Sequence, residues 1–317
     1  MDTKKLETGR ATSPPTPSVR FRFDGPITRY NRVSLRTLGK TIEHLQSAID
    51  RAYLDVKYGD VFKYQKLKEA EYEDVEFIAM APEEGSYIQE AIAKISNVTT
   101  KGIIERMNGA LTSAYEKTHS PQDIASISIR DQATQRQQVF GVTRQAQTYD
   151  DFVNQEISQL SHAFGERSIN KEIDQILSLI RNEKNNGSVF EISLYGAKQG
   201  PKFTFDQERA RRFHRVVSER RIGEPLVFEI ELRSLDAGKS GAPAQGKAKN
   251  FSTGKECAMQ IPDPKVFGKL AQHLRRVKRK RLQVVACPVY EYNAWDPKAG
   301  DIVVIAFLGV LDELQND

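Results

Sequence analysis

The sequence predicts an α+β protein, with a helix-rich N-terminal α+β domain and a smaller, β-rich, barrel-like C-terminal domain. Two patterns predict this class. Apolar stripes at helical spacing dominate the first half of the 317 residues, whereas short alternating segments dominate the end. The hydrophobic content of 39%, the charged content of 28% and the mean hydropathy of −0.54 exclude membrane-embedded and collagen-like proteins.

Composition shifts divide the chain into three segments. Residues 1–18 are expected to form a disordered arm, because Ser13–Ser18 contains only Ser, Thr and Pro. A polar, Gly-containing stretch, Glu183–Ser188, is typical of a domain boundary. The predicted domains are therefore an α+β domain over residues 19–186 with a helical hairpin, and a basic β-rich domain over residues 187–317.

The first elements of the N-terminal domain follow from clear periodicities. Alternation of apolar and basic residues over Val19–Phe23 predicts a strand. Apolar residues then recur in steps of three and four from Leu35 to Val56, which predicts one long helix that ends at Gly59. A second strand is predicted over Val75–Met80.

The next segment is less regular. A helical pattern over Tyr87–Tyr115, with Ser86 as N-cap, predicts a helix that contains a candidate break at Asn97–Gly102. Two short strands around a polar tip are predicted over Ile124–Arg130 and Gln137–Thr143.

Two apolar stripes then predict an αα-hairpin. The first stripe runs from Val153 to Phe164 and the second from Ile169 to Ile180. Gly165 suits the end of the first helix, and Ser168 suits the N-cap of the second.

Short strands dominate the C-terminal domain, with one helix predicted over Asp206–Glu219 and another over Pro264–Val277. Strands are predicted over Phe190–Leu194, Leu226–Arg233, Lys247–Ser252, Cys257–Ile261, Leu282–Cys287 and Ile302–Leu308. Such a pattern fits a small barrel, of which the oligonucleotide-binding type is one alternative.

Cysteine and apolar content predict a cytoplasmic protein without bound metal or cofactor. Cys257 and Cys287 are expected to be buried free thiols, and the five histidines lack zinc-ligand spacing. Residues 1–20 lack the apolar core of a secretion signal. The longest apolar stretch, Ile302–Leu311, is too short to cross a bilayer, so no membrane partner is expected.

The net charge of +5 hides a strong asymmetry. Residues 1–197 contain 25 Lys and Arg against 27 Asp and Glu, a net of −2. Residues 198–281 contain 21 against 9, a net of +12, and residues 282–317 contain 1 against 6, a net of −5. A strongly basic region favours a polyanionic partner.

Two basic clusters are the candidate nucleic-acid-binding residues, because Lys and Arg neutralise phosphates. The first cluster comprises Arg209, Arg211, Arg212, Arg215, Arg220 and Arg221. The second comprises Arg275, Arg276, Lys278, Arg279, Lys280 and Arg281. Nearby aromatic residues that are candidates for base stacking are Phe203, Phe205, Phe213, Phe251, Tyr290, Tyr292 and Trp295.

These patterns predict a non-enzymatic nucleic-acid-binding accessory protein that contacts phosphates through its basic C-terminal domain. Two alternatives remain open. One is an adaptor whose basic face binds an acidic protein, and the other is a nuclease or effector with dispersed site residues. No catalytic motif is apparent, so no catalytic residue is assigned. The apolar stripe of the first long helix is compatible with self-association, although it is equally compatible with a buried core.

A resemblance agrees with this interpretation. The strand ending Phe-Asp-Gly-Pro at Phe23–Pro26, a long helix, and the turn Glu-Glu-Gly-Ser-Tyr at Glu83–Tyr87 resemble a set of uncharacterised prokaryotic two-domain proteins. The resemblance covers residues 19–95, and the set pairs such an N-terminal half with a small β-rich domain. It implies a bacterial accessory protein linked to mobile elements or phage defence, and it transfers no catalytic residue.

Overall fold

The structure, a computed structural model, combines helices with two β-sheets and thereby confirms the α+β class. It describes residues 16–30, 32–82, 87–119, 128–196, 199–238, 242–274 and 280–311. Within these ranges, no helix has both the length and the apolar character needed to cross a membrane.

The first sheet has five antiparallel strands. They are β1 (Ser18–Asp24), β2 (Phe77–Ala79), β3 (Tyr87–Ala93), β5 (Val189–Tyr195) and β6 (Gln199–Phe205). Their order is β2-β3-β1-β5-β6. The predicted strand at Val19–Phe23 is confirmed, and it begins one residue earlier, at the last residue of the predicted arm. Val19, Phe21 and Phe23 are buried on one face of the sheet, and Arg20 and Arg22 lie half-buried on the other.

Four helices cover the apolar face of this sheet. They are α1 (Leu35–Tyr58), α2 (Val98–Lys117), α4 (Tyr149–Arg181) and α5 (Gln207–Ser218). The predicted long helix is confirmed by α1, which starts where the Ser34 hydroxyl accepts the backbone N–H of Thr37. It ends at Gly59, whose φ of 62° is the left-handed conformation that glycine adopts without strain.

The second sheet contains a closed ring of strands. Its members are β4 (Gln147–Thr148), β7 (Arg220–Ile222), β8 (Leu226–Asp236), β9 (Ala244–Asn250), β10 (Glu256–Ile261), β11 (Arg281–Glu291) and β12 (Ile302–Leu311). The order is β4-β8-β9-β10-β12-β11-β7, and β8 also pairs with β11. Five strands therefore close on themselves, with β10 and β12 parallel and the other ring pairs antiparallel.

Two further helices flank the ring. In α6 (Pro264–Leu274), Val266 and Leu270 pack into the core inside the ring. In α3 (Ile129–Thr143), Ala133 and Phe140 pack against the outside of β11 and β12 in a separate small cluster.

Helix α4 connects the two cores. It has 33 residues and is therefore about 50 Å long. Tyr149, Val153 and Leu160 belong to the core inside the ring, whereas Ile169 and Ile173 belong to the core under the first sheet.

The predicted helical hairpin is therefore wrong, since both stripes belong to α4. Each stripe faces a different core, so the apolar face of α4 shifts partway along the helix. In the sequence, this shift resembles the end of one helix and the start of another. Gly165 and Ser168 lie inside α4 and do not mark its ends. A Cβ atom at Gly165 would lie 2.5 Å from a carboxylate oxygen of Asp55, so close packing against α1 accounts for this glycine.

Two other element predictions are wrong. The predicted helix at Tyr87 begins instead at Val98, where Asn97 is the N-cap, and Tyr87–Ala93 is strand β3. Pairing with β1 outweighs the local helical pattern. The predicted pair of strands at Ile124–Arg130 and Gln137–Thr143 is also wrong, because Ile129–Thr143 forms the single helix α3. The predicted N-cap at Ser86 and residues 124–127 lie outside the described residues.

The predicted division at residue 187 does not coincide with the division between the two sheets. Strand β5 pairs with β1, and β6 pairs with β5, so the chain returns to the first sheet after Glu183–Ser188. Helix α5 also packs into the first core, and the strands of the second sheet that follow it begin with β7 at Arg220. The division into two domains stays a prediction.

Candidate nucleic-acid interface

The first basic cluster follows α5 and continues into β7. Asp206 caps α5 by accepting the backbone N–H of Arg209 at 2.7 Å. Phe213 and its apolar neighbours bury one face of the helix, which leaves Arg211 and Arg215 exposed one turn apart. Neither of these two guanidinium groups has an anionic partner among the described residues.

Two other arginines of this cluster are held by local contacts. Arg209 donates to the hydroxyl of Tyr115 and lies 4.9 Å from the centre of its ring. Arg212 pairs with Glu208 one turn earlier, with 3.1 Å between Nε and Oε1. These contacts indicate structural roles for Arg209 and Arg212, so they contribute less to a free cationic surface than Arg211 and Arg215 do.

Helix α5 packs antiparallel to α4, so cations of α4 lie near those of α5. Gln207 donates to the carbonyl oxygen of Arg181, and His214 contacts Asp174 at 2.9 Å, so α5 runs against α4. The end of α5 and β7 therefore lie beside the turn of α4 that carries Arg167 and Lys171. We call Arg167, Lys171, Arg211, Arg215 and Arg220 the basic strip.

Strand β7 presents its two arginines to opposite faces. Arg220 pairs in register with Glu291, and Arg221 pairs with Tyr290. Since side chains alternate along a strand, Arg220 and Glu291 line one cavity and Arg221 and Tyr290 line another. We call these the charged cavity and the aromatic cavity.

The charged cavity has a volume of about 270 Å³ and lies where α1, α4 and the loop between β11 and β12 meet. Its cations are Arg51, Lys63, Arg167, Lys171 and Arg220, and its acids are Glu172, Glu291, Asp296 and Asp301. Most of the acids are held by partners: Glu172 contacts His44 at 2.7 Å, and Asp301 contacts Lys63 at 3.1 Å. Exposed Lys171 forms no salt bridge with a described residue, although its charge acts on nearby Glu291.

Two carboxylates of this cavity have shifted pKa values. Burial raises the pKa of Asp296, although its carboxylate accepts backbone N–H groups from Lys63, Lys298 and Ala299. Burial alone would also raise the pKa of Glu291, but the charges of Arg167, Lys171 and Arg220 lower that pKa overall. The carboxylate of Glu291 therefore already neutralises part of the charge of these arginines.

The aromatic cavity has a volume of about 190 Å³. Apolar groups of Phe152, Ile222, Leu226, Pro288 and Tyr290 line it, and Arg136, Arg221 and Glu224 also contribute. The Arg221 guanidinium lies 4.7 Å from the centre of the Tyr290 ring, which is a cation–π arrangement.

The structure describes only two residues of the second basic cluster. Arg275, Arg276, Lys278 and Arg279 are outside the described residues. Lys280 and Arg281 are half-buried, and Arg281 pairs with Glu229 and lies 4.9 Å from the centre of the Phe251 ring. Arg281 begins β11 and Glu291 ends it, so this end is about 30 Å from Arg220.

Most of the aromatic residues considered for base stacking are core residues. Phe203, Phe205, Phe213, Tyr292 and Trp295 are buried, so they cannot stack on bases at the surface. Phe251 is 38% exposed, and Tyr290 lines the aromatic cavity. Phe203 and Phe205 alternate along β6, and Phe213 lies on the apolar face of α5. All three therefore face the first core.

Several residues of the site were missed by sequence reasoning. Arg51, Lys63, Arg167 and Lys171 lie in the segment whose net charge is slightly negative, where cations alternate with acids. No local charge pattern distinguishes them. The sequence pattern did not mark Phe152 as a site residue either, because it is adjacent in sequence to an apolar helical stripe.

Neither a reactive thiolate nor a cluster of metal-ligand side chains is found among the described residues. Burial raises the pKa of the Cys257 and Cys287 thiols to about 12, so neither is a reactive thiolate near neutral pH. The prediction that both are buried free thiols is confirmed. Among the described residues, no group of three or more His, Cys, Asp or Glu side chains is placed to hold a metal ion.

Comparisons with known proteins do not add a relative. No protein-family model matches the chain, and no curated protein or solved structure matches it either. The fold and site together define an α+β protein with a closed five-stranded ring and a cation-rich surface beside two cavities.

Proposed function

We propose that this protein binds nucleic acid without cleaving it, through phosphate contacts made by the basic strip. The observation that carries the proposal is that α5, which carries Arg211 and Arg215, packs against α4, whose Arg167 and Lys171 line the charged cavity with Arg220. Three of these cations, Lys171, Arg211 and Arg215, are exposed and form no salt bridge with a described residue, although the charge of Lys171 also acts on Glu291. Phosphate groups would supply anionic partners, and each contact would release counterions from the nucleic acid.

The strand ring gives a second line of support. Its order, β8-β9-β10-β12-β11, with α6 between β10 and β11, matches that of the oligonucleotide- and oligosaccharide-binding barrel. In that barrel, the loop between the fourth and fifth strands is one of the ligand-binding loops. Here the corresponding loop, residues 292–301, supplies Asp296 and Asp301 to the charged cavity.

The outer face of β9 and β10 is a weaker candidate surface. Lys247 on β9 is paired with Glu256 on β10 at 3.1 Å, and Ala258 contributes no charge or ring. The basic strip therefore favours phosphate contact more strongly than this face does.

A charge-removal experiment tests the proposal. Changing Lys171, Arg211 and Arg215 together to Ser should weaken binding to fluorescent oligonucleotides, because three phosphate contacts are lost. The slope of log affinity against log salt should become shallower by about 2 to 3. Fluorescence anisotropy between 50 and 200 mM salt measures both quantities.

The matched control changes Arg29, Arg32 and Arg130 to Ser. These exposed cations lie outside the strip, and their loss changes the net charge equally. The control should retain near wild-type affinity. Equal weakening in both triple variants, or no binding by the wild-type protein, would overturn the proposal.

A further inference from the structure

We propose that the nucleic acid is recognised as a single strand, with one unstacked base in the aromatic cavity and a neighbouring phosphate against Arg220. This inference rests on the proposed function and specifies its substrate class. It follows from β7, whose adjacent arginines face the aromatic cavity on one side and the charged cavity on the other.

The aromatic cavity suits a single base in size and lining. Its volume of about 190 Å³ exceeds the roughly 150 Å³ of an apolar cavity that accepts benzene. The ring of Phe152 and the guanidinium of Arg221, which itself lies over the Tyr290 ring, provide surfaces on which a planar base can stack.

Polar groups at this cavity also match the edge of a base. Arg136 and Glu224 form a two-point ion pair, with N–O distances of 2.7 and 2.8 Å, and Glu224 is exposed. The Arg221 Nε donates to Asn293 at 2.9 Å, which orients its guanidinium plane. Donors and an acceptor therefore surround an apolar slot, as in other sites that bind unstacked bases.

A duplex cannot use this arrangement. Its bases are paired and stacked, and only its phosphates would reach the basic strip. Insertion into the aromatic cavity requires a base that is free to unstack, which a single strand provides at low cost.

The experiment compares 12-nucleotide single strands with the matching duplex, as DNA and as RNA, by fluorescence anisotropy. Arg221→Lys keeps the charge but loses the planar stacking surface, and Tyr290→Leu removes the ring. Each change should weaken single-strand binding by about 5- to 100-fold and leave duplex binding nearly unchanged. Thermal denaturation of each variant checks that it remains folded.

Trp295 provides an independent readout, since it is the single tryptophan of the chain. Its ring centre lies 6.5 Å from that of Tyr290 and 6.4 Å from that of Phe152. Single strands should change its fluorescence, whereas the duplex should not. Arg144→Lys is the matched control, because Arg144 lies over the Phe140 ring at 5.9 Å but outside both cavities.

The possible outcomes separate this inference from the proposed function. The inference is supported if the wild type prefers single strands, if Arg221→Lys and Tyr290→Leu abolish this preference, and if Arg144→Lys retains it. The inference is wrong if the wild type binds the duplex as well as the single strand. It is also wrong if Arg221→Lys retains single-strand binding while the basic-strip variant loses it. In both cases the proposed function stands. Absence of binding to every oligonucleotide would reject both.

Discussion

Arg220 and Arg221 are neighbours in the chain, yet they differ in the chemistry around them. Arg220 faces Glu291 at 3.7 Å in the charged cavity, and Arg221 lies on the Tyr290 ring at 4.7 Å in the aromatic cavity. Alternation along β7 causes this separation, since consecutive side chains of a strand point to opposite faces. Substitutions at these two positions should therefore have distinct effects on ligand binding.

At the same scale, Glu291 should make stability depend on acidity. Its pKa in the folded protein is lowered below the ordinary value of 4.5, so its charged form stabilises the folded state. This contribution is fully present above about pH 4.5 and is lost as the pH falls through the lower, folded pKa. Glu291→Gln lacks the charge at every pH and should be less stable than wild type near neutrality.

Thermal denaturation of both proteins from pH 7 to pH 3 measures this contribution. The difference in Tm should be largest at neutral pH and should shrink as the medium becomes acidic. A difference that stays constant over the whole range would show that the charge of Glu291 does not stabilise the fold.

At the scale of elements, the close packing of α4 against α1 depends on one small residue, Gly165. Gly165 faces the buried carboxylate of Asp55, to which Arg106 of α2 donates through its Nε. The contact joins α1, α2 and α4 in a single cluster. A larger residue at this position would displace Asp55 and disturb its pair with Arg106.

Gly165→Ala should therefore destabilise the protein by about 1 to 3 kcal/mol, the usual cost of overpacking. Gly109→Ala is the matched control, because Gly109 also lies within a helix but has no atom within 4 Å of the added Cβ. The control should be stabilised by up to about 1 kcal/mol through its higher helix propensity. Urea denaturation followed by circular dichroism distinguishes these opposite changes, and equal effects would contradict the packing explanation.

At the scale of the whole molecule, α4 and the loop between β11 and β12 join the two cores. Tyr292 of this loop belongs to the first core, where its hydroxyl contacts Ser113 and Glu166. Trp295, three residues later, belongs to the core inside the ring. Elements shared between cores make independent unfolding costly, because the loss of one core exposes part of the other.

The two cores should therefore unfold together. Circular dichroism reports mainly on the helices, and the fluorescence of Trp295 reports on the ring, so their urea transitions should coincide. Ile173→Ala, which empties space in the first core, should lower both midpoints and cost about 2 to 5 kcal/mol. Separate transitions would instead show two independent domains.

Local sequence information was sufficient for elements whose signals are short-range. The stripe and Gly59 predict α1, and strict alternation predicts β1, β5 and β8, because side-chain periodicity and end conformations act within a few residues. The basic character of α5 could also be predicted from the sequence, since its arginines are close together in the chain.

Tertiary structure decided how these elements combine. Pairing with β1 makes Tyr87–Ala93 a strand, and two different cores keep α4 continuous across Gly165. The candidate site likewise depends on distant residues, because Arg167 and Arg220 meet at Glu291 only when α4, β7 and β11 pack together. Composition and periodicity therefore determined the α+β class and the basic region, whereas long-range packing selected which cations share a surface and enclosed the two cavities beside it.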